Sequence, residues 1–179
     1  MTSQMDKQVV PYGSAAIRTV GASAVKELIQ KAAATPRRRI NLNFHKDSAS
    51  PIQRLMLVMN KGTYVRPHRH NEDDKWEMAV IVQGRATVIL FTDDGTVRER
   101  VDLEPNGENF AIETPRGMYH TWLPQDENIA FIEFKPGPYD PNKTNEFAPW
   151  APAEGSPEAD IFLKQLYACK VGDRLSHSA

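Results

Sequence analysis

A succession of short alternating segments between residues 39 and 134 most constrains how this chain can fold. In residues 39–45 the apolar side chains of Ile40, Leu42 and Phe44 alternate with polar ones, which is the period of a β-strand. Compact turns, among them Asp94-Gly95, separate the later segments. Short strands joined by small turns predict an antiparallel barrel or jelly roll rather than a βαβ array. The further predicted strands are 54–60, 63–70, 76–82, 85–92, 96–103, 109–113, 118–123 and 129–134.

Two helices are predicted to flank these strands. Ser23 is a candidate N-cap for a helix whose apolar residues recur at helical spacing until Pro36 stops it. A second helix is expected to start with Ser156 as its cap and Pro157 at its first position. Residues 136–157 hold six prolines, so we expect them to wrap the barrel surface in an extended conformation.

The expected fold class is therefore mainly β, a single antiparallel barrel of the jelly-roll type with helical flanks. A chain of 179 residues suits one domain. We place this domain at residues 22–165, with the barrel core at about 39–135. Residues 1–21 are predicted to be a flexible arm with an edge strand near its end, and residues 166–179 a tail that includes the disordered His177.

Composition excludes several classes of partner. The net charge of -1 gives no general attraction to nucleic acid or to an anionic membrane. The basic run of residues 37–39 reads as a solvated run at a helix C-terminus. No apolar stretch approaches the ~20 residues of a membrane span. Cys169 is the single cysteine, which fits a reducing compartment, and we expect a cytoplasmic protein.

Three histidines and a carboxylate form a candidate metal site. His68 and His70 lie two residues apart, so on a strand both imidazoles lie on one side of the sheet. Glu77 begins the next predicted strand, and His120 lies on a later one. Such a set suits one divalent transition metal, and Fe, Mn, Ni, Zn and Cu all accept these ligands.

The spacing of these residues resembles the two motifs of the cupin superfamily. The first motif runs from Gly62 through His68-x-His70 and Glu77 to Gly84. The second motif comprises Gly107, Pro115-x-Gly117 and His120. The resemblance implies a small β-barrel that carries a metal in its mouth.

One departure from the cupin pattern concerns the carboxylate. The six residues between His70 and Glu77 are more than the superfamily usually has. Glu72, Asp73 or Asp74 therefore remain alternatives to Glu77 as the fourth ligand.

A narrower resemblance involves four stretches of the chain. Residues 36–45, 62–77, 137–141 and 147–152 together are similar to the WbuC family of cupin-fold metalloproteins. That resemblance implies a metal-binding cupin associated with gene clusters for O-antigen or other surface polysaccharides. It implies no settled reaction.

Parity along the strands extends the candidate site. Tyr64 and Arg66 would share the face of His68 and His70, and Lys75 that of Glu77. Arg66 is predicted to pair with an anionic ligand. Tyr64, Lys75 or Glu133 could move a proton. His45 is interpreted either as a structural histidine or as a pocket residue, and not as a metal ligand.

The favoured hypothesis is a metal-dependent enzyme acting on a small anionic or sugar-like substrate. The metal would polarise a carbonyl group, which suits an isomerase or epimerase. With iron and oxygen the same ligands would suit a dioxygenase, and a cupin that binds a small ligand without catalysis is the alternative from another class. No nucleophile elbow, P-loop or dinucleotide-binding fingerprint is present. A homodimer is expected.

Overall fold

The computed structural model describes residues 9–10, 17, 19–141 and 143–176. Within them the chain forms two helices and two sheets, in agreement with the mainly-β prediction. The elements in chain order are β1 (Val9–Val10), α1 (Ala22–Ala33), β2 (Arg39–Asn43), β3 (Ile52–Asn60), β4 (His68–Arg69), β5 (Glu77–Gln83), β6 (Ala86–Phe91), β7 (Val97–Leu103), β8 (Ala111–Thr114), β9 (Tyr119–Pro124), β10 (Asn128–Pro136), β11 (Glu146–Phe147) and α2 (Ala159–Ala168).

The two sheets face each other as a jelly roll, but hydrogen bonds do not close them into the single barrel that was predicted. The six-stranded sheet has the order β1-β2-β3-β10-β5-β8, and the five-stranded sheet has the order β11-β4-β9-β6-β7. All pairs are antiparallel except β1 with β2. At the edge of β7, the N–H of Val97 instead donates to the carbonyl of Asp173. The C-terminal segment therefore pairs with the start of β7.

The main core lies between the sheets. Trp122 of β9 stacks on Phe131 of β10 with ring centroids 4.2 Å apart and planes within 5°. Strand alternation sends Tyr119 and Leu123 of β9 to the other face, where they join a separate cluster. His120 therefore points into the space between the sheets, on the same side as Trp122.

Helix α1 covers the outer face of the six-stranded sheet. Val25, Leu28 and Ala32 are buried against a cluster that includes Met56 and Val58 of β3. The helix begins one residue before the predicted cap: its N-cap is Gly21, without a side-chain hydrogen bond, and Ser23 lies in the first turn. Apolar burial, rather than capping by Ser23, holds this helix in place.

The outer face of the five-stranded sheet is covered by α2 and by residues 148–152, which belong to the segment 137–154 that we call the strap. Phe162 and Leu166 of α2 pack against a cluster that includes Phe91 and Leu123 of the sheet. α2 begins at Ala159 rather than at Pro157: its N-cap is Glu158, without a side-chain hydrogen bond, and the backbone carbonyl of Ser156 accepts a turn hydrogen bond from the N–H of Ala159.

The remaining predicted boundaries lie near the two ends of the chain. The expected end of the domain at residue 165 falls inside α2, which continues to Ala168, and Leu175 is buried in the cluster under the strap. His177 lies outside the described residues, as does most of the predicted arm of residues 1–21. Neither helix of the described chain has the length and hydropathy needed to cross a membrane.

Candidate metal centre

The three histidines of the predicted site come together between the sheets. His68 of β4 pairs directly with His120 of β9, and their ring centroids lie 4.6 Å apart. His70, two residues along, has its ring centroid 5.3 Å from that of His68 and 5.6 Å from that of His120. One ring nitrogen of each histidine lies within 4.8 Å of the other two, an arrangement that can hold a metal ion.

Backbone carbonyl groups fix the orientation of all three rings. The Nδ1 atoms of His68, His70 and His120 lie 2.9 Å, 2.6 Å and 3.0 Å from the carbonyl oxygens of Arg66, Thr144 and Met118. Opposite a carbonyl oxygen, Nδ1 can only donate, so the neutral ring carries its lone pair on Nε2. This is the tautomer that a metal-binding histidine with an outer hydrogen bond adopts.

The electrostatics of the cluster favour neutral imidazoles at His68 and His120. Burial, with the nearby His120 and His70 adding to it, holds the pKa of His68 well below its usual range. Burial also lowers the pKa of His120. The Nε2 atom of His120 is buried without a hydrogen-bond partner among the described residues. A buried ring nitrogen with a free lone pair fits a cation and is costly without one.

Glu77 lies beside the histidines, at the first position of β5. Its Oε2 atom is 2.9 Å from Nε2 of His70, and its Oε1 atom is 3.8 Å from Nε2 of His120. Burial alone would raise the pKa of Glu77, but Lys135, and then the neighbouring His70 and His120, hold it well below its usual range. Glu77 is thus a buried, ionised carboxylate in contact with the cluster.

The alternative carboxylates are less buried than Glu77. Asp73 forms an ion pair with Arg116, and its side chain is 89% exposed. Asp74 is exposed in a turn, and the nearest charged group to Glu72 is Lys75, at 3.9 Å. Of the four acidic residues considered, only Glu77 is buried next to the histidines.

A buried lysine and a second glutamate extend the site behind Glu77. Lys135 of β10 has its Nζ atom 2.6 Å from Oε1 of Glu133 and 3.6 Å from Oε2 of Glu77. Burial lowers the pKa of Lys135, but the two carboxylates outweigh burial and raise it above its usual range. Burial, and then the charge of Glu77, raises the pKa of Glu133. Sequence reasoning identified Glu133 but missed Lys135, although a Glu-x-Lys spacing on a strand puts both on one face.

The strap is also part of the centre. Besides the carbonyl of Thr144 on His70, it contributes the carboxylate of Glu146, which accepts hydrogen bonds from Arg69, from Asn71 and from the Tyr119 hydroxyl. Arg69 and Asn71 flank His70 in sequence, and Tyr119 precedes His120. The carboxylate of Glu146 therefore links the side chains of residues that neighbour two of the histidines in sequence.

Tyr64 does not belong with the histidines. Its hydroxyl donates to the carbonyl of Pro152 at 2.9 Å, and its ring contacts Phe162 in the cluster beneath the strap. Burial raises the pKa of this hydroxyl. The parity argument was wrong here because residues 63–67 are not a strand, and Val65, not Tyr64, faces the space between the sheets.

The other two predicted side chains border the site. Arg66 donates from Nη2 to the carbonyl of Ala148 at 3.1 Å, and its guanidinium lies over the ring of Phe147. Lys75 donates to the carbonyls of Pro136 and Pro138, and it lines a small cavity together with His70 and Lys135.

His45 has a structural role. Its Nδ1 atom accepts a hydrogen bond from the backbone N–H of Arg54 at 2.9 Å, and its side chain is buried at the end of β2. Burial lowers its pKa. His45 is not among the clustered histidines of the described chain.

Comparison with known proteins agrees with the fold and leaves the family open. Residues 20–103 match the model of DUF6016, a domain of unknown function. No curated protein matches the sequence closely enough to count as a relative. A protein of Shewanella oneidensis is similar in structure with a TM-score of 0.54 and 11% identity, over 68% of this chain and 82% of that chain.

Two further solved structures are similar to part of this chain. A cupin superfamily protein of Desulfitobacterium hafniense has a TM-score of 0.43 and 12% identity, over 55% of this chain and 76% of that chain. The capsular polysaccharide assembling protein CapF of Staphylococcus aureus has a TM-score of 0.47 and 18% identity, over 60% of this chain and 31% of that chain. Cupins are thus among the structural neighbours, and the finer resemblance to the WbuC family stays a prediction.

Proposed function

We propose that this protein is a metal-dependent cupin enzyme of the isomerase or epimerase type, acting on a small anionic or sugar-like substrate. The observation that carries the proposal is the set of three imidazoles, each tethered through Nδ1 to a backbone carbonyl, with their other nitrogens turned toward one another. The resemblance to the WbuC family adds surface-polysaccharide metabolism as the biological setting.

In this proposal His68, His70, His120 and Glu77 hold one divalent metal. Three neutral imidazoles and one carboxylate match the donor preference of Mn, Fe, Ni, Cu and Zn alike. A bound metal supplies a Lewis acid that polarises a substrate carbonyl and lowers the barrier to removing the adjacent proton.

The chain itself has to move that proton. Glu133 is the best-supported base, because it is buried beside Lys135 at the site and because burial and the charge of Glu77 raise its pKa, which makes a carboxylate a stronger base. The proton leaves the substrate carbon for Glu133, and Glu133 returns it to the neighbouring carbon, as in an isomerase; an epimerase would need a second acid to protonate the other face of the same carbon. No electrons are gained or lost, so the step needs no co-reactant. Lys135 and Lys75 are the nearby ammonium groups available to orient substrate oxygens.

Arg66 supports the anionic character of the substrate. Its side chain has a backbone carbonyl as a hydrogen-bond acceptor, while its Nε atom is buried without a partner in the described part of the chain. A guanidinium with unused donors next to a metal centre suits a carboxylate or phosphate group, which it can bind with two parallel hydrogen bonds.

Deuterium exchange tests the reaction. Metal-loaded protein would be incubated in D2O with sugar phosphates, uronates and small keto acids, and carbon-bound deuterium followed by NMR. We expect metal-dependent exchange at a carbon next to a carbonyl, lost in Glu133→Gln and in the metal-free protein. A compound that raises the thermal stability of the loaded protein but acquires no deuterium would instead support the non-catalytic ligand-binding cupin. Oxygen uptake with iron-loaded protein would support the dioxygenase.

A further inference from the structure

We infer that Phe147 of the strap, together with Arg66, forms a recognition wall at the entrance of the metal centre and selects ligands that join an anionic group to a flat ring face. This inference rests on the metal centre proposed above, and it adds the substrate class. The ring face is either an unsaturated ring or the C–H face of a sugar.

Strand register puts Phe147 next to a metal-centre histidine. β11 pairs with β4 so that Phe147 lies directly opposite His68, and directly opposed residues project from the same face of a sheet. The ring centroids of Phe147 and His68 are 6.2 Å apart. The adjacent pair, Glu146 with Arg69, projects from the other face, where Glu146 also meets Tyr119.

The three histidines differ in exposure. His120 is 1% exposed and His70 is 5% exposed, whereas His68 is only partly buried. Phe147, beside His68, is 45% exposed. A ligand that reaches the histidines from solvent on the side of His68 therefore passes the ring of Phe147.

Arg66 gives this wall its charge. Its guanidinium carbon lies 5.1 Å from the centroid of the Phe147 ring, and its hydrogen bond to Ala148 holds the two side chains together. A cation and an exposed aromatic ring side by side match a ligand with an anionic group next to a ring.

Exposure alone would not support this role, because single exposed apolar residues are common on protein surfaces. Phe110, for example, is 53% exposed, but among the described residues its ring stacks on no histidine and lies under no arginine. Phe147 differs in its register with His68 and in its contact with Arg66. Phe110 is therefore a matched control for an exposed phenylalanine.

The test uses carboxylate probes on protein loaded with Co²⁺, whose visible absorption reports the metal environment. Acetate supplies the anionic group alone, benzoate adds an unsaturated ring, and glucuronate adds a sugar ring. We expect wild type to bind at least one of the two ring probes about tenfold more tightly than acetate, a difference of ~1.4 kcal/mol. Whichever ring is preferred identifies the kind of face that the wall accepts.

Two variants of the wall decide the assignment. In Phe147→Ala the preference for the ring probe should fall to within about twofold, while the acetate affinity stays the same. Phe147→Leu keeps an apolar side chain without the flat ring, and should lose most of the preference if the alanine variant does not fold. Phe110→Ala should keep the wild-type ratio.

The outcomes distinguish failure of the recognition wall from failure of the proposed metal centre. If wild type binds no Co²⁺, the proposed metal centre fails and the inference fails with it. If Co²⁺ binds but acetate binds as tightly as both ring probes, or if the ratio survives in the Phe147 variants, the recognition wall alone is overturned.

Discussion

The carbonyl oxygen of Thr144 lies 2.6 Å from Nδ1 of His70, although the two residues are 74 positions apart in the chain. This hydrogen bond makes the strap part of the metal centre. It sets both the orientation and the tautomer of a ring whose neighbours, Arg69 and Asn71, are held by Glu146 of the same strap. The order of the centre therefore depends on a segment that carries none of its histidines.

The first prediction concerns the ligands. We expect close to one equivalent of a divalent metal per chain by elemental analysis, and His70→Ala should lose most of it. His45→Asn, in which the amide oxygen can still accept the hydrogen bond from Arg54, should keep it. Affinity should fall as the pH drops, because imidazoles bind metals only when neutral.

The choice of carboxylate is tested in the same assay. Glu77→Gln should lower metal occupancy, because it removes the buried carboxylate beside the histidines. Asp73→Asn changes an exposed carboxylate and should leave occupancy unchanged. The reverse pattern would assign the fourth ligand to the loop before β5.

A second prediction separates ligand binding from metal binding. Arg66→Lys keeps the positive charge but loses the forked donor, so it should weaken an anionic ligand by roughly 1–3 kcal/mol. Metal occupancy should not change, because Arg66 is not a ligand. Titration calorimetry with an anionic hit from a thermal-shift screen measures the first quantity, and elemental analysis the second. Equal affinity of both proteins for that ligand would rule out the anion-binding role.

A third prediction concerns Lys135, which lies between two buried carboxylates. Lys135→Met keeps the length of the side chain but leaves Glu77 and Glu133 without their ammonium partner. In the metal-free protein the free energy of unfolding should fall by ~3–5 kcal/mol, the cost of breaking a buried ion pair. A bound metal should reduce this loss, because it supplies positive charge next to Glu77.

Urea denaturation of metal-free and metal-loaded protein measures both effects of the Lys135 change. Lys164→Met on the exposed side of α2 is the matched control and should change stability by less than ~0.5 kcal/mol. A Lys135→Met protein as stable as this control would mean that the carboxylates do not depend on the lysine.

A fourth prediction gives the pH dependence of the strap. Burial alone would raise the pKa of Glu154, but Arg39, and then Arg37, lower it below its usual value of 4.5. A group whose pKa is lower in the folded than in the unfolded state stabilises the fold above its unfolded pKa. This contribution should be complete above about pH 5, and it is lost as the pH falls through the folded-state pKa.

Glu154→Gln tests that dependence. The variant should lose ~1–3 kcal/mol of unfolding free energy at pH 7, and its curve should approach that of wild type in acid. The free energies of unfolding of the variant and of wild type are compared by urea denaturation at a series of pH values between 3 and 7. Glu99→Gln, at an exposed position of β7, is the control. If the Glu154→Gln and wild-type curves stay parallel down to the lowest pH, the ion pairs with Arg37 and Arg39 do not contribute as described.

Sequence reasoning worked where side-chain periodicity or spacing carries the information. The period-two pattern predicted the jelly-roll strands, since an exposed-to-buried alternation is what a two-layer sheet requires. The His-x-His spacing brought His68 and His70 to one side, because both lie at the short strand β4 and its end. The glycine at 84, with a φ of +71°, marks the turn between β5 and β6 that the motif implied.

Parity failed where the backbone leaves the strand. Pro67 has no N–H to donate, and the predicted strand 63–70 is reduced to β4. Tyr64 accordingly turns to the cluster under the strap, while Val65 faces the other core. Because the strand alternation was extended across Pro67, Tyr64 was predicted to face the metal centre, although it lies in the core.

Other parts of the centre have weak or no sequence signal. The contact of Thr144 with His70 uses a backbone carbonyl, which every residue has, so only the fold reveals it. The basic run of residues 37–39 was interpreted as solvated, whereas Arg37 and Arg39 pair with Glu154 across 117 and 115 residues. Pairings at that separation depend on how the strap folds back, which local patterns do not encode.

The packing of Leu175 has a consequence for how the protein is made. This residue belongs to the cluster that seals the outer face of the five-stranded sheet, and its N–H donates to the carbonyl of Gly95. During translation that face stays only partly covered until residues 159–175 have left the ribosome, although every strand of the sheet precedes them in the chain. Nascent chains that pause before this point therefore expose apolar surface, and they should be the species most dependent on chaperones.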